Sequence, residues 1–514
     1  MTAVAGDARP ARPGPSLLAA RILRMEIRHS AFVWSIPLLA VLFIYDPFRT
    51  ASGYPDLWTV RASVVLNKFW PDCVPFTAAF SAWAGSREGR RKVGDLLGTT
   101  ARPAWTRQMF SLLGTLAWVL AVFLAGIVVI YVRTAQVATW GGPPIWPVVV
   151  GLVALTGVSS FAFTLGALFP GRFTAPIVAV GLTVLALVAF RQSVDASGGP
   201  IGTLSPDSLV PPNDAGVFYP MAPDVWIVQV MFYAGVVLAA TGLLGLSPRT
   251  GGVGWRRALD AASAGGMRLR AIATTVFAVG IALAVTGFGL AGTARTSVTG
   301  EIEIPALHDS ASDKPIAYTP VCAHVSGSFQ VCLHPAYKNY LSQAVNSFRP
   351  VMAELAGLPG APVRATEVAS LTLPAFVLQD NVGDGEVTGT PPVYKFGMNN
   401  ALALAPDATQ LQDGFRQDIV HAVIVGSTGQ LTASVGTPAQ QAVVDGLLKA
   451  AGSQPYPVCG PGDNPNANRC RRQQVPVTAA AGRFAALPAA TRRAWLAANL
   501  AALKAGRITL AQVP

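Results

Sequence analysis

The sequence predicts an α-helical polytopic membrane protein of about seven transmembrane helices, with a C-terminal extracytoplasmic α+β domain. Three observations carry that reading. Of the 514 residues 52% are apolar and only 12% charged, about half the charged share of a soluble domain. The apolar residues fall into long runs between residues 30 and 293. The basic residues sit in the short connections between those runs. Residues 1–293 hold 22 Lys and Arg against 12 Asp and Glu, and residues 294–514 hold 16 against 14. The excess of basic residues therefore belongs to the apolar part. Net charge of +12 alone would make nucleic acid a candidate partner, but this placement is that of membrane topology and leaves lipid, not nucleic acid, as the expected contact.

Taken in order, residues 1–14 are a Pro/Ala/Arg tail of disorder-prone composition. Residues 15–29 read as a basic amphipathic helix, with Leu17, Leu18, Ile22, Met25 and Ile27 for the membrane interface and Arg21, Arg24 and Arg28 for water and anionic lipid. Seven runs approach the roughly 20 apolar residues that a bilayer crossing needs: 30–46, 66–85, 109–132, 146–169, 174–190, 225–246 and 271–293. Lipid offers a backbone no hydrogen bonds, so each run is expected to be helical. The second is the least apolar, since Lys68, Pro71, Asp72 and Pro75 lie in its first half. With a cytoplasmic N-terminus, the inside segments 1–29, 86–108, 170–173 and 247–270 carry 17 basic residues, and the outside loops 47–65, 133–145 and 191–224 carry four. That bias places the N-terminus in the cytoplasm and the C-terminal domain outside the cell membrane. The chain divides into a tail and interfacial helix (1–29), a transmembrane domain (30–293) and an extracytoplasmic domain (294–514).

Cysteine placement agrees with an external domain. Cys73 lies in the second span, and the other four form two close pairs, Cys322/Cys332 and Cys459/Cys470. Residues 321–325 and 329–333 read as two strands around Ser326-Gly327-Ser328, which sets Cys322 opposite Cys332 at the 4.5–5.5 Å or so of a directly opposed pair, within disulfide reach. Cys459 and Cys470 are expected to staple a Gly/Pro/Asn-rich surface loop. The rival reading, reduced thiol pairs holding a metal, meets a spacing that matches no usual zinc motif. The domain is expected to hold a helix from Pro335 to about Ala356 with Tyr337, Leu341, Val345, Phe348, Met352 and Leu355 on its buried face. Strand pieces are expected at 370–373 and 375–378. Further helices are expected at 408–425, after a Thr437–Gln440 capping box, and at 489–505.

The loop after the second span reads Ser86-Arg87-Glu88-Gly89-Arg90-Arg91-Lys92-Val93-Gly94-Asp95-Leu96-Leu97, followed by Gly98-Thr99-Thr100-Ala101-Arg102-Pro103. This stretch of about 18 residues resembles the first cytoplasmic loop of type-2 ABC exporter permeases. The basic helix before the first span, the order of the six spans and the long outer loop before the sixth are similar to that family's membrane half. The resemblance implies a short coupling helix docking on an ABC ATP-binding subunit supplied in trans. It also implies a homodimer or a second permease subunit. A seventh span and the external domain depart from the family pattern. On physical grounds, passing work from a soluble motor to membrane helices needs a rigid, charged element tied to a helix pair. Arg87, Glu88, Arg90, Arg91 and Asp95 are the candidates; the plainer reading is a loop whose charges only set orientation. No Gly-x-x-x-x-Gly-Lys-Ser/Thr phosphate loop occurs in the sequence, so the chain is not its own P-loop motor.

Lys68 and Asp72 share a helix face, and intramembrane charges are functional candidates; the alternative is a salt bridge at the outer interface. No catalytic set, metal site or cofactor is expected. His324 and His334 flank the Cys322/Cys332 hairpin as solvent-facing or helix-start residues. His421 stands on a helix where Ala422 and Val425 replace the Glu and second His of a zinc peptidase helix. The second reading of function is a non-transporting anchor that displays a binding or sensor domain, and a third is a membrane-tethered hydrolase.

Overall fold

The computed structural model describes residues 15–45, 48–49, 55–91, 104–194, 199–206, 216–247, 264–296, 302–355, 357–369, 385–398, 408–426, 436–455 and 465–514. The tail 1–14, the strand pieces at 370–378, Asp95 and Cys459 lie outside them. Helix α1 (Pro15–Arg28) is followed by α2 (Trp58–Gly85), α3 (Ala104–Val137), α4 (Trp146–Leu168), α5 (Thr174–Val194), α6 (Asp224–Leu246) and α7 (Ala264–Ala291). Among the described residues five helices, α3 to α7, are long and apolar enough to cross a membrane. This is a polytopic membrane protein by that measure, and five of the seven expected spans meet it. The first expected span, 30–46, is not one helix. It is broken into a 3-10 turn (Ala31–Ser35), a short α segment (Ile36–Ala40) and a π segment (Val41–Tyr45). The second, α2, is 28 residues long, carries Pro71 and Pro75 inside it, and is less apolar than the other five.

The helices alternate in direction. Small residues let the helix backbones approach closely, where lipid supplies no hydrophobic drive. Antiparallel α6 and α7 meet along a seam of glycines spaced by seven. A Cβ on Gly235 would lie 2.4 Å from the Ala284 backbone, one on Gly242 2.5 Å from Phe277, and one on Gly280 2.2 Å from Ala239. The α2–α4 contact is built the same way: a Cβ on Gly85 or Gly166 would lie 2.1 Å from a carbonyl oxygen of the facing helix, Phe163 or Ala82. Outward, α5 and α7 present broad apolar faces (Ile177, Val180 and Val184; Ile272 and Val285), as lipid-facing helices do.

The bundle has two distinct ends. At one, which we call the basic end, Gly89 touches Pro170 and Gly245 lies against Trp105, and Trp105 Nε1 donates to the Thr241 carbonyl at 3.1 Å. Arg87, Arg90, Arg91, Arg107, Arg172 and Arg268 gather here. At the other end sits the C-terminal domain. Its five-stranded sheet runs in the order β3-β4-β5-β7-β6, with β3 (Val321–Ser326), β4 (Phe329–Leu333), β5 (Arg364–Glu367), β6 (Glu386–Thr388) and β7 (Val393–Phe396). Preceding it, the short β1 (Arg295–Thr296) and β2 (Ile302–Glu303) pair beside the end of α7. Strands β3/β4 and β6/β7 pair antiparallel, whereas β4/β5 and β5/β7 pair parallel. Helix α8 (Leu341–Leu355) crosses over between β4 and β5. Its Phe348 ring lies among Phe329, Phe396 and Phe415, at 6.2, 5.8 and 5.6 Å between centroids. The expected buried face of this helix is buried except for half-buried Leu341. Helices α9 (Ala408–Ile424), α10 (Pro438–Ala450), α11 (Pro465–Ala486) and α12 (Ala489–Lys504) complete the domain.

The β3–β4 hairpin turns at Gly327, whose φ of +52° suits glycine. Cys322 faces Cys332 in the register, and the two form a disulfide with Cα atoms 4.0 Å apart. The Thr437–Gln440 capping box is present. Cys470 lies on α11, which begins at Pro465, so the second half of the Gly/Pro/Asn-rich stretch is helical, with Pro favourable in its first turn. Cys470 is disulfide-bonded.

Candidate functional site

The residues singled out in the 86–108 loop converge on the basic end. Past Gly85 the chain makes a four-residue helical turn, Arg87–Arg90, fixed on three sides. Arg87 Nη2 donates to both Glu26 oxygens on α1, at 3.1 and 3.2 Å. Glu88 faces Arg107 on α3 at 3.7 Å. Gly89 abuts Pro170 in the α4–α5 connection, where a Cβ would lie 2.4 Å from Pro170 Cβ. Arg90 folds back on Trp83: its Nη2 donates to the Trp83 carbonyl at 3.0 Å, and its Cζ stands 3.3 Å from the Trp83 ring centre. Burial, and secondarily the neighbouring Arg91, push the Arg90 pKa down.

Helix α1 is held in place by α3. Glu26 packs on Gly114, and Trp118 Nε1 donates to the Ile27 carbonyl at 2.8 Å. Between α1, the end of α2 and the first turns of α3 opens a cleft of about 430 Å³. It is lined by Glu26 and His29 from α1 and its end, by Trp83, Arg87, Arg90 and Arg91, and by Ser111 and Thr115 on α3. Sequence reasoning assigned the arginines to docking and missed this cleft. Glu26, which turns one face of an otherwise basic amphipathic helix toward the loop, is the signal that was available.

The other expected sites fare differently. Asp72 is half-buried on α2, and the Lys68 side chain lies outside the described residues. His324 is exposed on β3, as one of the expected alternatives has it. His334 is fully buried and caps the turn that follows it, its Nδ1 accepting from Ala336 N at 3.1 Å. Three aromatic rings surround it: Tyr318 from its own domain, and Trp140 and Phe218 from the loops of the membrane bundle, at 4.1, 4.7 and 4.9 Å between centroids. Burial pushes its pKa down to about 4. Around this ring Thr139 donates to the Pro335 carbonyl at 2.7 Å, and Asn339 donates to the Val137 carbonyl at 2.9 Å. Ile316 N donates to the Phe218 carbonyl at 2.7 Å, and the Asp224 carboxylate at the head of α6 accepts from Ile304 N. The C-terminal domain is thus bolted to the bundle through the outer loops, and its core continues into Leu57, Val60, Val217 and Phe218. Burial also lowers the His421 pKa. Among the described residues no group of His, Cys, Asp and Glu could hold a metal ion.

No family model, no curated protein and no solved structure matches the chain.

Proposed function

We propose that this chain is the membrane-spanning, permease-like subunit of an ABC-type export system, powered by a separate ATP-binding subunit that docks at the basic end. One observation carries the reading. The charged Arg87–Arg90 turn continues from α2 and is fixed to α1 through Glu26, to α3 through Arg107 and to the α4–α5 connection through Pro170. A force applied to a turn held this way reaches four helices, whereas a loop that merely sets orientation needs no such attachments. In this reading α2 and the broken 31–45 segment are two further crossings, making seven. The basic end is cytoplasmic by the distribution of Arg and Lys, and residues 294–514 stand outside the cell membrane. Two copies, or this chain with a second permease, would form the working unit.

The test is co-expression with a P-loop ATPase encoded beside this gene, followed by purification through a tag on this chain. The ATPase is expected to co-purify with the wild type and to be lost with Arg90→Glu/Arg91→Glu, while Arg507→Glu in the C-terminal domain leaves it bound. An ATPase held equally by all three would remove the coupling role from this turn.

The second reading, an anchor that displays a domain, is favoured by the rigid seating of that domain on the bundle. ATP hydrolysis by the reconstituted pair that depends on the bundle's integrity, tested with Gly280→Leu, separates the two, since an anchor has no turnover to lose.

A further inference from the structure

We propose that the cleft at the basic end is a binding site for a phosphate-ester anion, presented by an anionic phospholipid headgroup at the bilayer surface. The charge count comes first. Arg87, Arg90 and Arg91 face the cleft, with Glu26 as the one carboxylate among the described residues of its wall. Arg87 already spends one nitrogen on Glu26, so two guanidinium charges remain without a counter-ion among the described residues lining the space. The donors come second. Arg90 Nε is buried and has no hydrogen-bond partner among the described residues, although its Nη2 and its guanidinium face are both occupied by Trp83. A buried donor on a charged group is costly to leave unmade, and a phosphate oxygen is the acceptor that guanidinium geometry matches best.

Volume and position then select the source. About 430 Å³ lies in the range of small-ligand sites and admits a glycerophosphate group. The cleft lies at the foot of α1, whose Arg21, Arg24 and Arg28 are exposed, and beside Trp83, which is 46% exposed, as aromatic residues at a membrane–water interface are. Basic juxtamembrane clusters draw anionic lipid. A zwitterionic headgroup would carry its ammonium into a site that already has surplus positive charge, so phosphatidylglycerol is expected to bind ahead of phosphatidylcholine. The inference depends on membrane residence alone and holds whether or not an ATPase docks nearby.

The test uses the full-length chain, purified without any ATPase and exchanged into nanodiscs of equal phosphatidylglycerol and phosphatidylcholine. Native mass spectrometry counts the lipid each variant retains after release. The wild type is expected to retain phosphatidylglycerol selectively, and Arg90→Gln/Arg91→Gln to retain about tenfold less. Arg172→Gln/Arg268→Gln removes equal charge from the same end away from the cleft and is expected to behave as the wild type. To keep the test independent of how the first variant folds, a photoactivatable phosphatidylglycerol is also cross-linked to the wild type, where peptides containing Trp83 and Thr115 are expected to be labelled. Inorganic phosphate that raises the wild-type melting temperature in lipid-free detergent, and not that of the cleft variant, would assign the same phosphate chemistry to a soluble source. Equal retention of both lipids with no phosphate effect, equal loss in both double variants, or labelling that misses both peptides would overturn the proposal.

Discussion

Two titrating side chains of the C-terminal domain pull in opposite directions. His334 is held neutral by burial, with its pKa near 4 against an ordinary 6.5. The unfolded chain therefore takes up its proton first, and this contribution to stability is present above pH 6.5 and lost as pH falls toward 4. Asp445 is raised by burial to about 6 from 3.8. Here the folded state holds the proton more tightly, so the contribution is present below pH 3.8 and lost as pH rises to 6. Each tenfold change in proton affinity is worth about 1.4 kcal/mol, giving contributions on the order of 2–3 kcal/mol each. In the wild type they largely offset. We expect His334→Asn, which keeps an acceptor for Ala336 N, to grow less stable between pH 4 and 6, and Asp445→Asn to grow more stable over the same interval. Melting temperatures of the purified variants at matched pH check this; parallel slopes would contradict it. Elsewhere in the domain, Arg492 makes a two-point contact with Glu354, 2.7 and 3.1 Å, both buried. Arg492→Ala leaves a buried carboxylate without that partner and is expected to cost about 3–5 kcal/mol, read as a loss of several degrees in melting temperature.

At the level of helices, the glycine seam between α6 and α7 makes the sharpest forecast. Alanine at Gly280 puts a Cβ 2.2 Å from the Ala239 backbone nitrogen, and neither helix can yield without parting the seam. A cost of about 1–3 kcal/mol is expected. Gly289 lies on the same helix with nothing within 4 Å of its Cβ position, so Gly289→Ala should be neutral or slightly stabilising. Thermal unfolding in detergent compares the pair directly, and equal effects would mean that the seam does not govern the packing. Much of this scale was legible in the sequence. The boundaries of α4 and α6, the capping box before α10 and the buried face of α8 follow from hydropathy and spacing. The 3-10 and π character of 31–45 did not, because its apolar run looks like any other span until its neighbours are known. The helix α11 was hidden for a different reason: its first turns are polar, and its partner surface on α10 is remote from any local pattern.

Across the whole molecule, the disposition of the C-terminal domain is open to direct measurement. Impermeant maleimide labelling of single cysteines placed at Arg91 and at Pro514, in a background with the native cysteines removed, reports which end faces outward in intact cells. Labelling at Pro514 alone is expected. Labelling at Arg91 alone would reverse the proposed orientation and with it the placing of any ATPase. Domain and bundle are also expected to unfold as one transition, because Leu57, Val60 and Phe218 belong to the same core as the sheet. Removing the Cys322–Cys332 bridge by Cys322→Ala/Cys332→Ala should lower that single melting temperature by an amount corresponding to about 2–3 kcal/mol. Two separated transitions would show that the seam around His334 is weaker than its contacts imply.

Sequence alone determined that long apolar stretches would be helices in lipid, where the carbonyls and amides of a spanning segment find partners within that segment. It determined the Cys322–Cys332 pairing too, since a two-stranded hairpin sets its register through its own turn. Only the tertiary structure decided how Glu26, Trp83 and Arg90 come to share one cleft, and how His334 comes to lie among Tyr318, Trp140 and Phe218. These groups are far apart along the chain. Their meeting depends on helix crossings set by glycines such as Gly114 against α1, and no periodicity within a single segment records which distant segment will face it.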